Sequence, residues 1–72
     1  MREIRVLKRS GHELGNDVRA CLACLKQAGI AAHKGQDAFD QPGYGVIRGV
    51  DDEDEAQALR LLRAKGFDVV AA

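Results

Sequence analysis

The chain has 72 residues, and its 11 basic and 11 acidic side chains bring the formal net charge to zero. This length predicts one small domain, which buries only about 60% of the surface that its unfolded chain exposes. The neutral balance argues against electrostatic binding to nucleic acid or to an anionic membrane. No run approaches the roughly 20 apolar residues of a membrane span and no signal peptide is apparent, so we expect residence in the cytoplasm.

The first part of the chain predicts a strand, a loop and a helix. Apolar and charged side chains alternate over Glu3–Leu7, which is the period of a half-buried strand within Met1–Lys8. Ser10–Asn16 contains two glycines, a hydroxyl and an amide, so it is interpreted as a loop, with Asn16 or Asp17 as the N-cap of the following helix. The helix has one apolar stripe at spacings of three and four residues, formed by Leu14, Val18, Cys21, Leu22, Leu25 and Ala28.

The middle of the chain predicts two strands joined by a turn. Ile30–Phe39 is the weaker strand, and Asp40–Gly43 supplies a turn because proline presets its own φ and glycine permits positive φ. Tyr44–Val50 is the stronger strand. Strict alternation along it places Gly45, Ile47 and Gly49 on one face and Tyr44, Val46, Arg48 and Val50 on the other. Alternation alone does not decide which of these faces meets the helices.

The end of the chain predicts a second helix and a last strand. Asp51–Glu55 is an unbroken acidic run, and negative charge is favoured in the first turn of a helix by the helix dipole. Ala58, Leu59 and Leu62 form the inward stripe of this helix. Phe67, Val69 and Ala71 then begin the final strand.

Both predicted helices stop at a glycine, Gly29 or Gly66, after basic residues in the last turn, and an apolar strand is expected directly after each. Strand–helix–strand therefore occurs twice, which predicts an α+β, ferredoxin-like β-α-β-β-α-β fold. Its four-stranded antiparallel sheet would carry two helices on one face and leave the other face bare. With no disulfide framework to compensate, we expect a homodimer or higher homo-oligomer that pairs through the bare face or an edge strand.

Two cysteines, Cys21 and Cys24, have the spacing of metal and redox motifs. They lie in the middle of the predicted helix, with no second cysteine pair and no histidine at ligand spacing. Packing of reduced thiols is therefore favoured over metal binding or redox chemistry, and we expect neither a metal nor a cofactor.

A glycine-rich loop before the first helix contains His12 and Glu13. It is either an ordinary connection or a cradle, in which backbone N–H groups hold a carboxylate and a side chain binds the amine of a small ligand. No nucleophile–base set and no phosphate-loop signature is apparent, so an enzyme is not expected. His33 is expected at the surface, and Tyr44 and Arg48 share a strand face on which they can stack.

Together these segments resemble the ACT domain, a small regulatory module that senses amino acids. Asp40–Arg48, Asp51–Ala56 and Leu62–Val70 are similar to the third strand, second helix and last strand of the family. Leu25–Ile30 resembles the end of its first helix and the start of its second strand. The first loop departs from the family, because Ser10–Asn16 contains no proline.

The resemblance implies a stand-alone regulatory module that binds an amino acid at a homodimer interface. By position, it assigns the ligand to a loop group and a strand group. The loop group comprises Gly11, His12, Glu13, Leu14, Gly15 and Asn16, and the strand group comprises Ile30, Ala31 and Ala32. Two alternatives remain: an interaction module that pairs with a larger enzyme or transporter without a small ligand, or a metal-binding protein that uses Cys21 and Cys24.

Overall fold

The chain folds into one antiparallel sheet covered by two helices. The structure, a computed structural model, describes residues 1–35 and 43–72. The strands are β1 (Arg2–Leu7), β2 (His33–Lys34), β3 (Tyr44–Val50) and β4 (Val69–Ala71), and the helices are α1 (Leu14–Gln27) and α2 (Glu55–Ala64). The strand order is β2-β3-β1-β4, which is the arrangement of the ferredoxin-like fold. The predicted fold class is confirmed.

The core lies between the helices and one face of the sheet. The sheet contributes Ile4 and Val6 from β1 and Val69 from β4, because alternate residues of a strand point to the same side. The helices contribute the buried parts of their predicted apolar stripes: Val18, Cys21 and Leu25 from α1, and Ala58 and Leu62 from α2. Ala28, predicted to belong to the first stripe, is exposed at the end of α1.

Both helices end in the same hydrogen-bond pattern. The N–H of Ile30 donates to the carbonyl of Leu25 over 2.9 Å, and the N–H of Phe67 donates to that of Leu62 over 3.1 Å. Gly29 and Gly66 occupy the position just past each helix end, with φ of 78° and 94°, which is the left-handed conformation that this helix ending requires. The predicted helix stops are confirmed. The strands, however, begin only at His33 and Val69, and not directly after the glycines.

A bulge in β3 changes which residues face the helices. Ile4 pairs with Ile47 but Arg2 pairs with Val50, so β3 carries one residue more than β1 over this stretch. Gly49 lies in the bulge with φ of 82°. Because the bulge absorbs the extra residue, Val50 faces the core like Ile47, whereas strict alternation predicted it on the opposite face beside Tyr44; that prediction was wrong.

Strand β2 begins later than predicted. In the described part of the proposed strand Ile30–Phe39, the strand covers His33–Lys34, since Ile30 closes the helix ending and Ala31 and Ala32 have no regular structure. Beyond Lys34, the N–H of Gly35 still donates to the carbonyl of Val46 over 2.9 Å. The rest of the predicted strand, residues 36–39, and the turn residues Asp40, Gln41 and Pro42 lie outside the described residues.

The face of the sheet away from the helices is covered by polar contacts. The guanidinium of Arg5 lies over the ring of Tyr44, 4.7 Å from its centre, and Nε of Arg48 lies 3.0 Å from a carboxylate oxygen of Glu3. The predicted partner of Tyr44 was Arg48, but the stacking contact comes from Arg5. Among the large apolar side chains that the structure describes, only Met1 is exposed. This face therefore offers little apolar surface to a partner.

Candidate functional site

The loop between β1 and α1 begins with a tight turn. The N–H of His12 donates to the carbonyl of Arg9 over 3.1 Å, and Gly11, the third residue of the turn, has φ of 79°. A turn with positive φ at this position favours glycine, because a side chain there is strained. The turn brings the side chains of Arg9 and His12 to the same side.

Helix α1 begins earlier than predicted. Glu13 has the extended backbone of an N-cap residue, with φ of −87° and ψ of 130°, and the helix starts at Leu14. The expected N-caps Asn16 and Asp17 are instead in the first turn, so Leu14, Gly15 and Asn16 of the loop group are helical. No side chain caps this end of the helix. Its first backbone N–H groups therefore remain available to an anion or to water.

The best-defined side-chain cluster centres on Arg9 and Asp17. Nε and Nη2 of Arg9 each donate to one carboxylate oxygen of Asp17, both over 2.9 Å. Asp17 is only 4% exposed, although it is charged. The hydrogen bonds from Arg9 lower the pKa of Asp17, and the nearby imidazole of His12 adds to this effect. The pair thus keeps a buried carboxylate ionised at the first turn of α1.

Arg9 also ties the β1–α1 loop to the turn between α2 and β4. Its Nη1 donates to the carbonyl of Gly66 over 2.7 Å, and its guanidinium lies 4.9 Å from the centre of the Phe67 ring. Nη2 lies 3.1 Å from Nδ1 of His12, which is itself 3.5 Å from Oδ1 of Asp17. One side chain therefore connects the loop group, the first turn of α1 and the second half of the chain.

The strand group lies at the other end of α1. Ile30, Ala31 and Ala32 line an open groove of about 420 Å³ between the last turns of α1 and the start of β2. Leu22, Ala23, Lys26 and Gly29 complete its lining. A second groove, of about 340 Å³, runs along the other side of Ala23, between α1 and the Lys65–Phe67 turn. Ala23 thus separates two grooves on the exposed side of α1.

One chain does not bring the loop group and the strand group together. They flank the two ends of a helix of 14 residues, which is about 20 Å long at 1.5 Å per residue. A ligand with the size of an amino acid cannot bridge that distance. A site that uses both groups therefore requires two chains.

The two cysteines differ in their surroundings. Cys21 is fully buried in the core, and burial raises the pKa of its thiol to about 12. Cys24 is half-buried at the rim of the second groove. Both are free thiols, and within residues 1–35 and 43–72 no group of three or more His, Cys, Asp or Glu side chains is placed to hold a metal ion. Packing of Cys21 in the core is confirmed.

The sequence interpretation missed the partnership of Arg9 and Asp17. A signal was present, because Asp17 lies one turn before Cys21 at the edge of the apolar stripe. A carboxylate in that position is buried with the stripe and requires a cationic partner. Asn16, which belongs to the loop group, accepts a hydrogen bond from Arg19 on the exposed side of α1.

Comparison with known proteins identified no relative of this chain. No protein-family model, no curated protein and no solved structure matches the chain significantly. In the part of the chain that the structure describes, no helix is both long and apolar enough to span a bilayer. Any assignment of function therefore depends on the geometry of the chain itself.

Proposed function

We propose that the chain is an ACT-like regulatory module without catalytic activity, which binds a small ligand such as an amino acid between two copies. One observation carries this proposal: the loop group and the strand group lie at opposite ends of α1. If two copies pack with their α1 helices antiparallel, the first turn of one helix lies beside the last turn of the other. The loop group of each copy then faces the strand group of its partner.

The exposed side of α1 has the shape for such pairing. Ala20 and Ala23 are small and exposed, and the two grooves on either side of Ala23 can accept ridges of side chains from a facing helix. Because both copies present the same surface, the pairing would be a two-fold interface.

Other surfaces are less suited to pairing. The edge strand β4 has its Val69 carbonyl occupied by Arg63, which donates from Nε over 3.2 Å and from Nη2 over 3.0 Å. Such a contact hinders the addition of another strand. The open face of the sheet carries the polar contacts of Arg5 and Arg48 described above. The α1 side is therefore the preferred interface.

The chemistry available at the paired ends suits an amino acid. The uncapped start of α1 supplies backbone N–H groups for a carboxylate, and the helix dipole favours an anion there. The carboxylate of Glu13 is exposed beside it for an amine. From the partner, Ala31 and Ala32 would supply an apolar wall. A ligand that contacts both copies stabilises the dimer by mass action, by about 2.7 kcal/mol at a concentration 100 times its Kd.

The experiment has two parts. Sedimentation of the chain at micromolar concentration measures whether it dimerises, and thermal melts with each of the twenty amino acids at millimolar concentration measure ligand binding. The variant Ala23→Arg places a charged side chain between the two grooves and should convert the dimer to a monomer. Ala64→Arg is the matched control, since Ala64 is an exposed alanine on the last turn of α2, and it should leave the dimer intact.

Each outcome decides a different part of the proposal. A monomer in the unmodified chain, or a dimer that Ala23→Arg leaves intact, would overturn the α1 interface and the shared site with it. A dimer that depends on Ala23 but does not respond to any amino acid would favour the interaction module without a small ligand. A raised melting temperature with one amino acid, lost in Ala23→Arg, would support the whole proposal.

A further inference from the structure

The contact between Arg9 and His12 depends on the protonation state of the histidine ring. Nη2 of Arg9 always carries protons and can only donate, and it lies 3.1 Å from Nδ1 of His12. A hydrogen bond between these two atoms therefore forms only when Nδ1 accepts, in the neutral ring with its proton on Nε2. His12 is about half exposed, with 49% of its side-chain surface accessible, so a proton from solvent can reach the ring.

Protonation of the ring removes this acceptor. A protonated Nδ1 becomes a donor, and it then faces a second donor, Nη2, that also carries positive charge. Oδ1 of Asp17 is an acceptor close to the ring, 3.5 Å from Nδ1. Repulsion between the two donors and attraction to the carboxylate both favour a movement of the ring away from Arg9 and closer to Asp17.

We infer that His12 is a pH-sensitive latch, which is bonded to Arg9 when neutral and to Asp17 when protonated, and which thereby changes the position of the β1–α1 loop. The charged groups that face the ring are Arg9 from the loop and Asp17 from α1. From the α2–β4 turn, the carbonyl of Gly66 contacts the same guanidinium. Lys8 bonds the carbonyl of Arg9 over 3.1 Å, so its charge lies on the same loop.

The latch connects the two halves of the chain. Oδ1 of Asp17 already accepts from Nη2 of Arg9, and a protonated His12 would compete for that oxygen. A movement of the guanidinium would change the surroundings of Gly66 and Phe67, because Nη1 donates to the carbonyl of Gly66 and the ring of Phe67 lies against the guanidinium. The inference goes beyond the proposed function, since it requires neither a dimer nor a ligand.

Nuclear magnetic resonance of the ¹⁵N-labelled chain tests the latch between pH 4.5 and 8.5. At high pH, the ring nitrogens of His12 should show the tautomer with the proton on Nε2. As the pH falls and the ring of His12 gains its second proton, the resonances of the Arg9 Nε–H and of the backbone amides of Gly66 and Phe67 should shift. Their midpoint should equal that of the His12 ring.

Two variants identify the responsible histidine. His12→Gln should abolish the coupled shifts at Gly66 and Phe67, and because His12 is exposed in a loop, the variant should keep its fold. His33→Gln removes the other histidine and should leave the coupled shifts unchanged. The inference is overturned if the neutral ring carries its proton on Nδ1, or if Arg9 and Gly66 do not change while the ring titrates. It is equally overturned if the shifts persist in His12→Gln.

Discussion

The guanidinium of Arg9 is joined to the carboxylate of Asp17 by two hydrogen bonds of 2.9 Å, and Asp17 is almost completely buried. The pair links the loop after β1 to the first turn of α1 across eight residues of sequence. Removal of one partner from such a pair lowers the free energy of unfolding by more than the pair itself contributes, because it leaves a buried charge without compensation.

The first prediction concerns the stability that depends on Arg9. Arg9→Ala should lower the thermal midpoint by roughly 5–10 °C, since it removes the charged hydrogen bonds to Asp17 as well as the bond to Gly66. Arg60→Ala is the matched control, because Arg60 is an exposed arginine on α2. Circular dichroism melts of both variants provide the measurement. Equal midpoints for the two variants would contradict a stabilising role for the Arg9 contacts.

The second prediction concerns acid unfolding. The pKa of Asp17 is lowered in the folded chain, so the unfolded chain binds the proton more readily. The ionised carboxylate therefore contributes to the stability of the folded chain at pH values above its ordinary pKa of 3.8. It is lost as the pH falls from 3.8 through the lowered pKa of the folded state. Urea unfolding between pH 2 and 6 should show this loss.

The matched variant for acid unfolding is Asp17→Asn, which keeps the shape of the side chain but cannot titrate. Its free energy of unfolding should be lower at pH 6 and should fall less steeply with acid than that of the unmodified chain. Parallel curves for the two proteins would show that Asp17 makes no contribution to the pH dependence.

The third prediction concerns the bulge in β3. A Cβ atom added at Gly49 would lie 2.7 Å from Nδ1 and Cε1 of His33, and the backbone there has φ of 82°. Gly49→Ala should therefore combine a cost of about 1–2 kcal/mol for the left-handed backbone with a steric cost from the ring. Gly29→Ala is the control, since Gly29 has φ of 78° and open space around it. This substitution therefore carries the energetic cost of the left-handed backbone without a steric cost.

A double-mutant cycle separates the two contributions. In a His33→Ala background the ring is absent, so Gly49→Ala should destabilise the chain by an amount close to that of Gly29→Ala. Chemical unfolding gives each free energy. If the cost of Gly49→Ala does not depend on His33, the ring does not occupy the space over the bulge.

The fourth prediction concerns thiol reactivity. Cys24 is half-buried at the surface of α1, whereas Cys21 is fully buried with a pKa raised to about 12. A disulfide reagent such as DTNB at pH 8 should modify one thiol of the folded chain quickly and the second only after unfolding, because the thiolate is the reactive form. Cys24→Ser should abolish the fast phase, and Cys21→Ser should retain it.

Local signals in the sequence predicted much of the fold. The stops at Gly29 and Gly66 and the apolar stripe through Val18 and Leu25 depend on neighbours within one or two helical turns, and the structure confirms them. The inward turn of Val50 was not predictable from alternation, since it depends on how β3 registers with β1. Register is a relation between strands that are distant in sequence, and nothing within Tyr44–Val50 alone determines it.

The candidate site was predictable in its parts but not in its arrangement. The glycines of Ser10–Asn16 indicated a loop, and Gly11 adopts positive φ in a turn there, whereas Gly15 belongs to α1. The start of α1 at Leu14 was missed because no side chain caps the helix, and prediction of helix starts depends on such caps. That Arg9 reaches Gly66 across the fold followed from no local pattern. Ligand binding and dimerisation remain predictions.

The single surplus residue at Gly49 has a consequence for the curvature of the sheet. If Gly49 were deleted, Ile47 and Val50 would still lie on the inner side of β3, on either side of Arg48. Arg48 would then pair with Glu3 of β1. Gly49 is therefore not needed to keep the apolar residues of β3 on the side that faces the helices. A bulge bends its strand and coils it more strongly, so we expect that the shortened chain would fold around a flatter sheet, with less concave room for the two helices.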